Sequence, residues 1–171
     1  VSIENVEEIG ARAFCGSDVR SFVGNKLRVL GDEAFAGCVS LQYFEADCLK
    51  QMGEKAFSDS SALLTVKADS LPKLGAESFL RCTDLTELSL EGLESVASGA
   101  FYGCAQLQKF DGKDVKTVGD NAFNSCDSLT YVSLPKVETV GNYSFFRCGK
   151  LTDFRADLLT EVCTGAFQEC R

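Results

Sequence analysis

The side chains best suited to chemistry in this 171-residue chain are nine cysteines and 25 carboxylates, and the chain has no histidine. The lack of histidine removes the commonest general base and the commonest metal ligand, so Ser-His-Asp and Cys-His nucleophiles cannot form. Most of the glycines recur singly, about 22 residues apart, which excludes the phosphate cradle of a P-loop or a dinucleotide fingerprint. We therefore expect a protein that is not an enzyme and that needs no cofactor.

Six of the nine cysteines share one position of a sequence repeat. They are Cys38, Cys82, Cys104, Cys126, Cys148 and Cys170. Structural zinc sites usually contain C-x-x-C pairs, and this chain has none, so we expect no metal. Adjacent strands lie ~4.8 Å apart, which is close enough for bridging, but the Cβ atoms of one column would all point toward the core. We predict buried, reduced thiols in this column. For Cys15, Cys48 and Cys163, outside it, packing and pairing both stay open.

Phenylalanine marks the repeat, with one spacing of 21 residues followed by six of 22. The residues are Phe14, Phe35, Phe57, Phe79, Phe101, Phe123, Phe145 and Phe167. The residue before each Phe is Ala or Ser, and a Cys follows three residues later in six units, with Ser60 in another. A fixed period in the twenties indicates a solenoid, in which each unit buries its apolar face against its neighbours.

Each unit carries a short alternating segment, as in Glu87-Leu88-Ser89-Leu90-Glu91, which predicts one half-buried strand per unit and eight strands in all. The second inward position is often Gly or Ala, which leaves room for a large Phe. A corner follows at Gly10, Gly31, Gly53, Gly75, Gly119 and Gly141. Because Ala97 and Cys163 occupy the same position, we predict a close backbone approach there and not a positive φ. The spacing of A-F-x-x-C-x-x-L predicts a short helical turn.

The predicted fold class is therefore α/β: a solenoid of 22-residue units with a parallel sheet on one side and short helical turns on the opposite side. Residues 1–171 form a single array of about eight units. Val1 begins and Arg171 ends in the middle of a unit, so we expect a piece of a longer protein, or ends that pair with other chains.

The L-x-x-L-x-L strand followed by V-x-x-V-G-x-x-A-F-x-x-C resembles the BspA-like, Treponema-type leucine-rich repeats along the whole chain. The resemblance implies a curved right-handed solenoid with a parallel sheet on its concave side. It also implies a cell-surface or secreted protein that works in adhesion or protein recognition.

The formal net charge of -8 argues against nucleic acid and anionic membranes as partners, and no apolar run is long enough to span a bilayer. Strand alternation assigns nine acids and four bases to the outward face of the sheet. We therefore expect a basic protein or peptide to bind there. The predicted contact residues are Tyr43, Glu45, Asp47, Asp69, Glu87, Glu91, Asp111 and Tyr131.

Several alternatives stay open at this point. Calcium could bind near Glu45, Asp47 and Asp69, and the acids could serve only to keep the sheet soluble. The apolar residues Leu80, Tyr102 and Phe146 could instead form a binding stripe on the convex side. The array could be a structural spacer or an end-to-end assembling segment of a larger surface protein, or it could accompany a catalytic domain elsewhere.

Overall fold

Fourteen short strands form the regular structure of residues 3–171, the part of the chain that the computed structural model describes. The predicted strand at Val1 lies mostly outside this part. The strands are β1 (Glu8–Ile9), β2 (Ser21–Val23), β3 (Val29–Leu30), β4 (Tyr43–Glu45), β5 (Gln51–Met52), β6 (Thr65–Lys67), β7 (Glu87–Ser89), β8 (Ser95–Val96), β9 (Lys109–Asp111), β10 (Thr117–Val118), β11 (Tyr131–Ser133), β12 (Thr139–Val140), β13 (Asp153–Arg155) and β14 (Glu161–Val162). Nothing among residues 3–171 forms a helix long and apolar enough to cross a membrane.

The three-residue strands are the predicted ones and stack in parallel as the principal sheet, in the orders β2-β4-β6-β7 and β9-β11-β13. The registers join equivalent positions of neighbouring units, such as Phe22 with Phe44 and Phe44 with Val66. The middle residue of most of these strands is buried while its neighbours are exposed or half-buried, as the period of two predicts. We call the outward surface of this sheet the principal face.

The two-residue strands form a second parallel sheet, in the orders β1-β3-β5 and β8-β10-β12-β14, where the sequence predicted only a corner. This second sheet is interrupted between β5 and β8, in the unit that contains Pro72. In the preceding unit the Lys50 N–H donates to the Arg28 carbonyl at 2.8 Å, and proline has no N–H with which to make the equivalent bond. Only a single bridge, between Lys73 and Ser95, continues the pairing at this point.

The predicted helical turns are wrong, because the segment after each corner contains no helix anywhere in residues 3–171. In the unit 31–38, Glu33 (φ 52) and Gly37 (φ 66) adopt the left-handed conformation, which a right-handed helix does not admit. The Ala36 N–H donates to the Glu33 carbonyl three residues back, as in a tight turn. The Phe35 N–H instead donates to the Ala56 carbonyl of the next unit at 2.7 Å. These tight turns form what we call the turn face.

The eight repeat phenylalanines stack on one another through the whole array. Successive ring centroids are 4.8 to 5.5 Å apart and the rings lie within 16° of parallel. Phe22, Phe44, Phe110 and Phe154 meet this column edge-on or tilted. A Cβ added to Gly24 would lie 2.9 Å from Cε1 of Phe22, so the small second inward residue makes room for the Phe of its own strand.

Five of the six corner glycines confirm the predicted close approach, whereas a Cβ added to Gly10 would have no atom within 4 Å. A Cβ on Gly141 would lie 2.7 Å from the Asp120 backbone nitrogen, and one on Gly53 would lie 2.4 Å from that of Asp32. None of the six corner glycines has a positive φ. Asp120 caps across units, since its Oδ1 accepts a hydrogen bond from the Asn142 N–H at 2.7 Å. The corner therefore brings two backbones together and satisfies an exposed donor.

All nine cysteines are free, as predicted for the column and left open for the other three. Each column thiol donates to the carbonyl of a repeat Phe 25 or 24 residues earlier, at 3.0 to 3.2 Å. Ser60 makes the same bond through its hydroxyl, at 2.7 Å to Phe35. Burial raises the pKa of the Cys148 thiol to about 12, and those of Cys104 and Cys126 rise well above the ordinary value for the same first cause. These three thiols therefore stay protonated, and the column acts as a ladder of donors.

Candidate functional site

The predicted contact residues fall in three parallel rows across the principal face. Tyr43, Thr65 and Glu87 share the first row, and Glu45, Lys67 and Ser89 share the second. Lys109 with Tyr131, and Asp111 with Ser133, continue these two rows beyond β7. Asp47, Asp69 and Glu91 follow their strands by two residues and form the third row. The structure thus places all eight predicted residues on one face, spread over five units.

Tyr43, Glu45 and Lys67 form a compact cluster on β4 and β6. The Tyr43 hydroxyl donates to the Glu45 carboxylate, and Lys67 Nζ lies 5.7 Å from the centroid of the Tyr43 ring. The hydrogen bond to Glu45 is the main cause that raises the pKa of Tyr43, and the contact with Tyr43 raises the pKa of Lys67. A cation over an aromatic ring is favourable, so Tyr43 already has an intramolecular partner.

Asp69 organises the third row. Its Oδ1 accepts hydrogen bonds from the Ser89 hydroxyl at 2.6 Å and from the Glu91 N–H at 3.3 Å. Asp47 lies one unit away, and its pKa is raised, first by partial burial and then by the negative charges of Glu45 and Asp69. These carboxylates therefore repel one another, and a cation arriving from outside would relieve that repulsion.

Two ion pairs neutralise part of the charge on this face. Lys113 Nζ lies 3.4 Å from Oε2 of Glu91, and Arg155 pairs with Asp153 at 2.8 Å. The Arg155 guanidinium also lies 5.3 Å from the centroid of the Tyr131 ring. The hydrogen bond from Arg155 lowers the pKa of the Asp153 carboxyl. Both tyrosines predicted to anchor a partner are thus covered by a basic side chain of the next strand.

The row of strands is interrupted between β7 and β9, where the principal sheet divides into its two blocks. A cleft of about 260 Å³ opens at this point, lined by Leu88, Ser89, Leu90, Glu91, Asp111 and Lys113. Three of the predicted acids, Glu87, Glu91 and Asp111, lie on the strands or loops beside it. The sequence prediction placed these acids on the face but missed the cleft.

On the turn face, Leu80 and Tyr102 lie together in a shallow depression of about 470 Å³ that also includes Glu77, Arg81 and Asp120. Phe146 lies two units further along, edge-on to Tyr143 and 5.0 Å from the Arg147 guanidinium. The proposed apolar stripe is therefore divided into two separate places. Asn124, in the unit between them, is buried and donates to the Asn121 side chain at 2.9 Å.

A metal centre does not emerge from the described part of the chain. Residues 3–171 contain no group of three or more His, Cys, Asp or Glu side chains arranged to hold a metal ion. The carboxylates of Glu45, Asp47 and Asp69, considered above for calcium, thus form no such group.

Comparisons with protein-family models and with solved structures show what this chain is similar to. The family model for the BspA type leucine-rich repeat region matches residues 1–90 and 50–171, with six copies. The chain belongs to this family. A comparison with curated proteins gave no significant sequence match. Members of this family are repeat proteins that typically bind other proteins and are generally not enzymes.

Solved structures agree on the fold. The T. pallidum leucine-rich repeat protein TpLRR superposes with a TM-score of 0.79 at 25% identity, over 88% of this chain and 78% of that chain. A leucine-rich cell surface protein from Faecalibacterium prausnitzii gives a TM-score of 0.64 at 20% identity, over 88% of this chain and 51% of that one. A leucine-rich repeat protein from Bacteroides ovatus gives 0.58 at 17% identity, over 99% and 73%. The fold is the leucine-rich repeat solenoid.

Proposed function

We propose that this array is a recognition module whose principal face binds a basic protein or peptide. The observation that carries the proposal is the distribution of ion pairs. Of the six predicted acids, Glu91 is ion-paired, whereas no ion pair within residues 3–171 involves the other five. Those five acids are Glu45, Asp47, Asp69, Glu87 and Asp111. Their unneutralised charge is available to a partner of opposite sign.

The same charge would act before contact as well as in it. A surface of one sign speeds the encounter with an oppositely charged partner and sets specificity more than raw affinity. The effect weakens with salt because charges farther apart than a Debye length of about 8 Å at physiological ionic strength are largely screened. Binding to the principal face should therefore be strongest at low ionic strength.

The role of the two tyrosines in this proposal depends on the basic side chains that lie over their rings. Tyr43 and Tyr131 present large, half-buried rings beneath Lys67 and Arg155. A basic partner can replace each intramolecular cation with its own, because an arginine or a lysine meets an aromatic ring in the same way. Such an exchange would free two cationic side chains to reach carboxylates of the face or of the partner.

The proposal is tested with two synthetic peptides of equal length, one rich in Lys and Arg and the other with Glu and Asp at the same positions. Fluorescence anisotropy measures the binding of each to the 171-residue chain at several salt concentrations. We expect the basic peptide to bind, its affinity to fall as salt rises, and the acidic peptide not to bind. Equal binding of both peptides, or a preference for the acidic one, would contradict the proposal.

A structural role is the second candidate function, favoured by the uninterrupted stack of repeat phenylalanines and the ladder of column thiols described above. These contacts run from unit to unit along the array and join each unit to the next. In this role the array is a stiff spacer or an end-to-end assembling segment of a larger surface protein. Absence of binding by either peptide, together with self-association in light scattering, would favour it.

A cell-surface or secreted location, with a role in adhesion, is part of the same proposal. It is supported by the family's resemblance to surface proteins, among them the leucine-rich cell surface protein from Faecalibacterium prausnitzii. Surface labelling of cells that produce the protein tests this location.

A further inference from the structure

The division of the principal sheet between β7 and β9 is local and complete. In the neighbouring units the Thr130 N–H donates to the Gln108 carbonyl, and the Gly112 N–H donates to the Ser133 carbonyl, both at 2.9 Å. The equivalent bonds would join residues 86–90 to residues 108–112. The structure describes all of these residues and contains no such bond between them. The Leu90 N–H and the Asp111 carbonyl, which would pair in an unbroken sheet, thus have no partner among the hydrogen bonds of the described residues.

The two units are nevertheless joined on their other sides. On the turn face the Phe101 N–H donates to the Ala122 carbonyl at 2.8 Å. In the second sheet β8 pairs with β10, and the Gly119 N–H donates to the Val96 carbonyl at 2.9 Å. The division is therefore not a break in the array. It is a cleft that opens on the principal face, between two units that are hydrogen-bonded to each other in the second sheet and on the turn face.

The side chains of the two units are unequal in size at this point. The unit of β7 has leucine at both inward positions, Leu88 and Leu90, whereas the unit of β9 has Phe110 and Gly112. The atoms nearest to a Cβ on Gly112 would belong to Val115, Leu134 and Phe110, so the space beside this glycine is filled from elsewhere. Leu88 is accordingly half-buried, unlike Phe44 and Val66 at the same position. Both leucines line the cleft.

The lining of the cleft combines an apolar floor with an acidic rim. Leu88 and Leu90 form the floor, while Glu91, Asp111 and Lys113 are exposed at the rim. Lys113 is already paired with Glu91, whereas no ion pair neutralises Asp111 within the described residues. The cleft therefore offers burial to a short aliphatic stem and a carboxylate to a positive charge at its end.

We propose that this cleft takes one arginine or lysine side chain of the basic partner, an assignment that rests on the proposed function. The methylene stem lies against Leu88 and Leu90, and the cationic head reaches the Asp111 carboxylate and its open main-chain carbonyl. Arginine and lysine side chains bury their stems on apolar surfaces while their charge stays at the water boundary. The cleft is therefore one position on the acidic face that can distinguish the side chains of a partner by their length.

Other side chains fit the lining less well. An acidic side chain would meet Glu91 and Asp111, and like charges close together are unfavourable. A purely apolar side chain would fill the floor but would cover the rim carboxylates without a partner, and burying a charge without a partner is costly. The lining thus selects a long side chain with a positive end.

The test uses four small probes and nuclear magnetic resonance of the ¹⁵N-labelled chain. The probes are the N-acetyl methylamides of arginine, lysine, norleucine and 2,3-diaminopropionic acid. Norleucine keeps the stem without the charge, and diaminopropionic acid keeps the charge but lacks three methylene groups of lysine. We expect arginine and lysine to shift the amide signals of residues 88–91 and 111–113 in a saturable way. Norleucine and diaminopropionic acid should bind about tenfold more weakly or worse, because each loses either the charge or the buried stem.

A substitution that fills the cleft completes the test. Leu88→Phe introduces the residue found at this position in four other units, and Val66→Phe is the matched control in a strand that is paired on both sides. Leu88→Phe should abolish the arginine shifts, and Val66→Phe should leave them. Equal binding of lysine and diaminopropionic acid, shifts spread over the whole face, or no shifts at all would overturn the cleft proposal. The binding of the basic peptide described above, which is measured separately, shows whether the proposed function itself stands or fails.

Discussion

The thiol of Cys126 tests whether the cysteine column works through its hydrogen bonds or only through its size. This side chain is fully buried, and its thiol donates to the Phe101 carbonyl at 3.2 Å. That carbonyl also accepts a hydrogen bond from the Cys104 N–H at 3.1 Å. Removal of the thiol therefore removes a second donor and a buried sulfur, but leaves no polar atom without a partner.

The expected cost follows from these contacts. Cys126→Ala should lower the free energy of unfolding by about 1–2 kcal/mol, which combines the lost burial of one sulfur with the lost hydrogen bond. Cys126→Ser makes the same position smaller but keeps a donor. Ser60 shows that a hydroxyl fits in this column, since it donates to Phe35 at 2.7 Å and accepts from the Cys38 N–H at 3.1 Å. We expect serine to be roughly 0.5–1 kcal/mol less destabilising than alanine.

Urea unfolding followed by circular dichroism measures both variants against the unchanged chain. The order of stability decides the question, because a column that is only apolar would accept alanine better than serine. If Cys126→Ser proves less stable than Cys126→Ala, the donor ladder has no energetic role at this position. Thiol counting provides the control, since the exposed Cys15 and Cys48 should react in the folded chain while Cys126 reacts only after unfolding.

Three further outcomes are expected. Gly141→Ala would place a methyl group 2.7 Å from a backbone nitrogen, so this variant should lower the free energy of unfolding by about 2 kcal/mol or more. Gly149→Ala is the control, because the space around Gly149 is open, and it should have little effect in the same urea experiment. Burial raises the folded-state pKa of five column thiols, those of Cys82, Cys104, Cys126, Cys148 and Cys170. Their contribution to stability is therefore complete below about pH 9 and falls as the pH rises toward 12. Urea unfolding from pH 8 to 10 should show this loss, at up to about 1.4 kcal/mol per pH unit for each of these thiols, and less of it in Cys126→Ser. The pKa of Asp47 is raised by partial burial and by its acidic neighbours, so Asp47→Asn should increase stability at pH 7 and have no effect below about pH 3, where the unfolded carboxyl is also protonated.

The repeat and its packing were predictable because each column of side chains recurs many times. The spacing of the phenylalanines fixed the unit length, and the small residue at Gly24 correctly indicated a neighbouring ring. The corner glycines were also interpreted correctly, because Ala97 at the same position argued against a positive φ. Repetition turns a weak local signal into a strong one, since each unit tests the same hypothesis again.

The errors arose where a short pattern has two structural meanings. A spacing of three between Phe35 and Cys38 suits both a helical turn and a series of tight turns with inter-unit hydrogen bonds. The glycines at Gly16, Gly37 and Gly103, which have positive φ values, were the available signal for tight turns. The second sheet was missed because a strand of two residues is too short to show alternation. The cleft was missed because it depends on a mismatch between adjacent units that no single unit reveals.

The candidate site shows the same limit. Strand alternation placed Glu45 and Tyr43 on one face correctly, yet it could not show that Lys67 lies over the tyrosine ring. Such contacts join residues 22 or 24 positions apart and depend on the register of neighbouring strands. They became visible only once the register was known, and they change the meaning of the tyrosines from free anchors to covered ones.

The central claim is that the principal face, and not the turn face, binds the basic partner. One experiment tests it directly by measuring the affinity of the basic peptide for two variants of the chain. The first variant carries the pair Glu87→Lys and Glu91→Lys, and the second carries Leu80→Ala, Tyr102→Ala and Phe146→Ala. Glu94→Lys with Glu138→Lys, at exposed positions off the principal face, is the control for net charge. We predict that the first pair weakens binding about tenfold or more and flattens its dependence on salt, while the other two variants bind as the unchanged chain does. Unchanged affinity of the first pair, with loss in the Leu80, Tyr102 and Phe146 variant, would contradict the claim and place the site on the turn face.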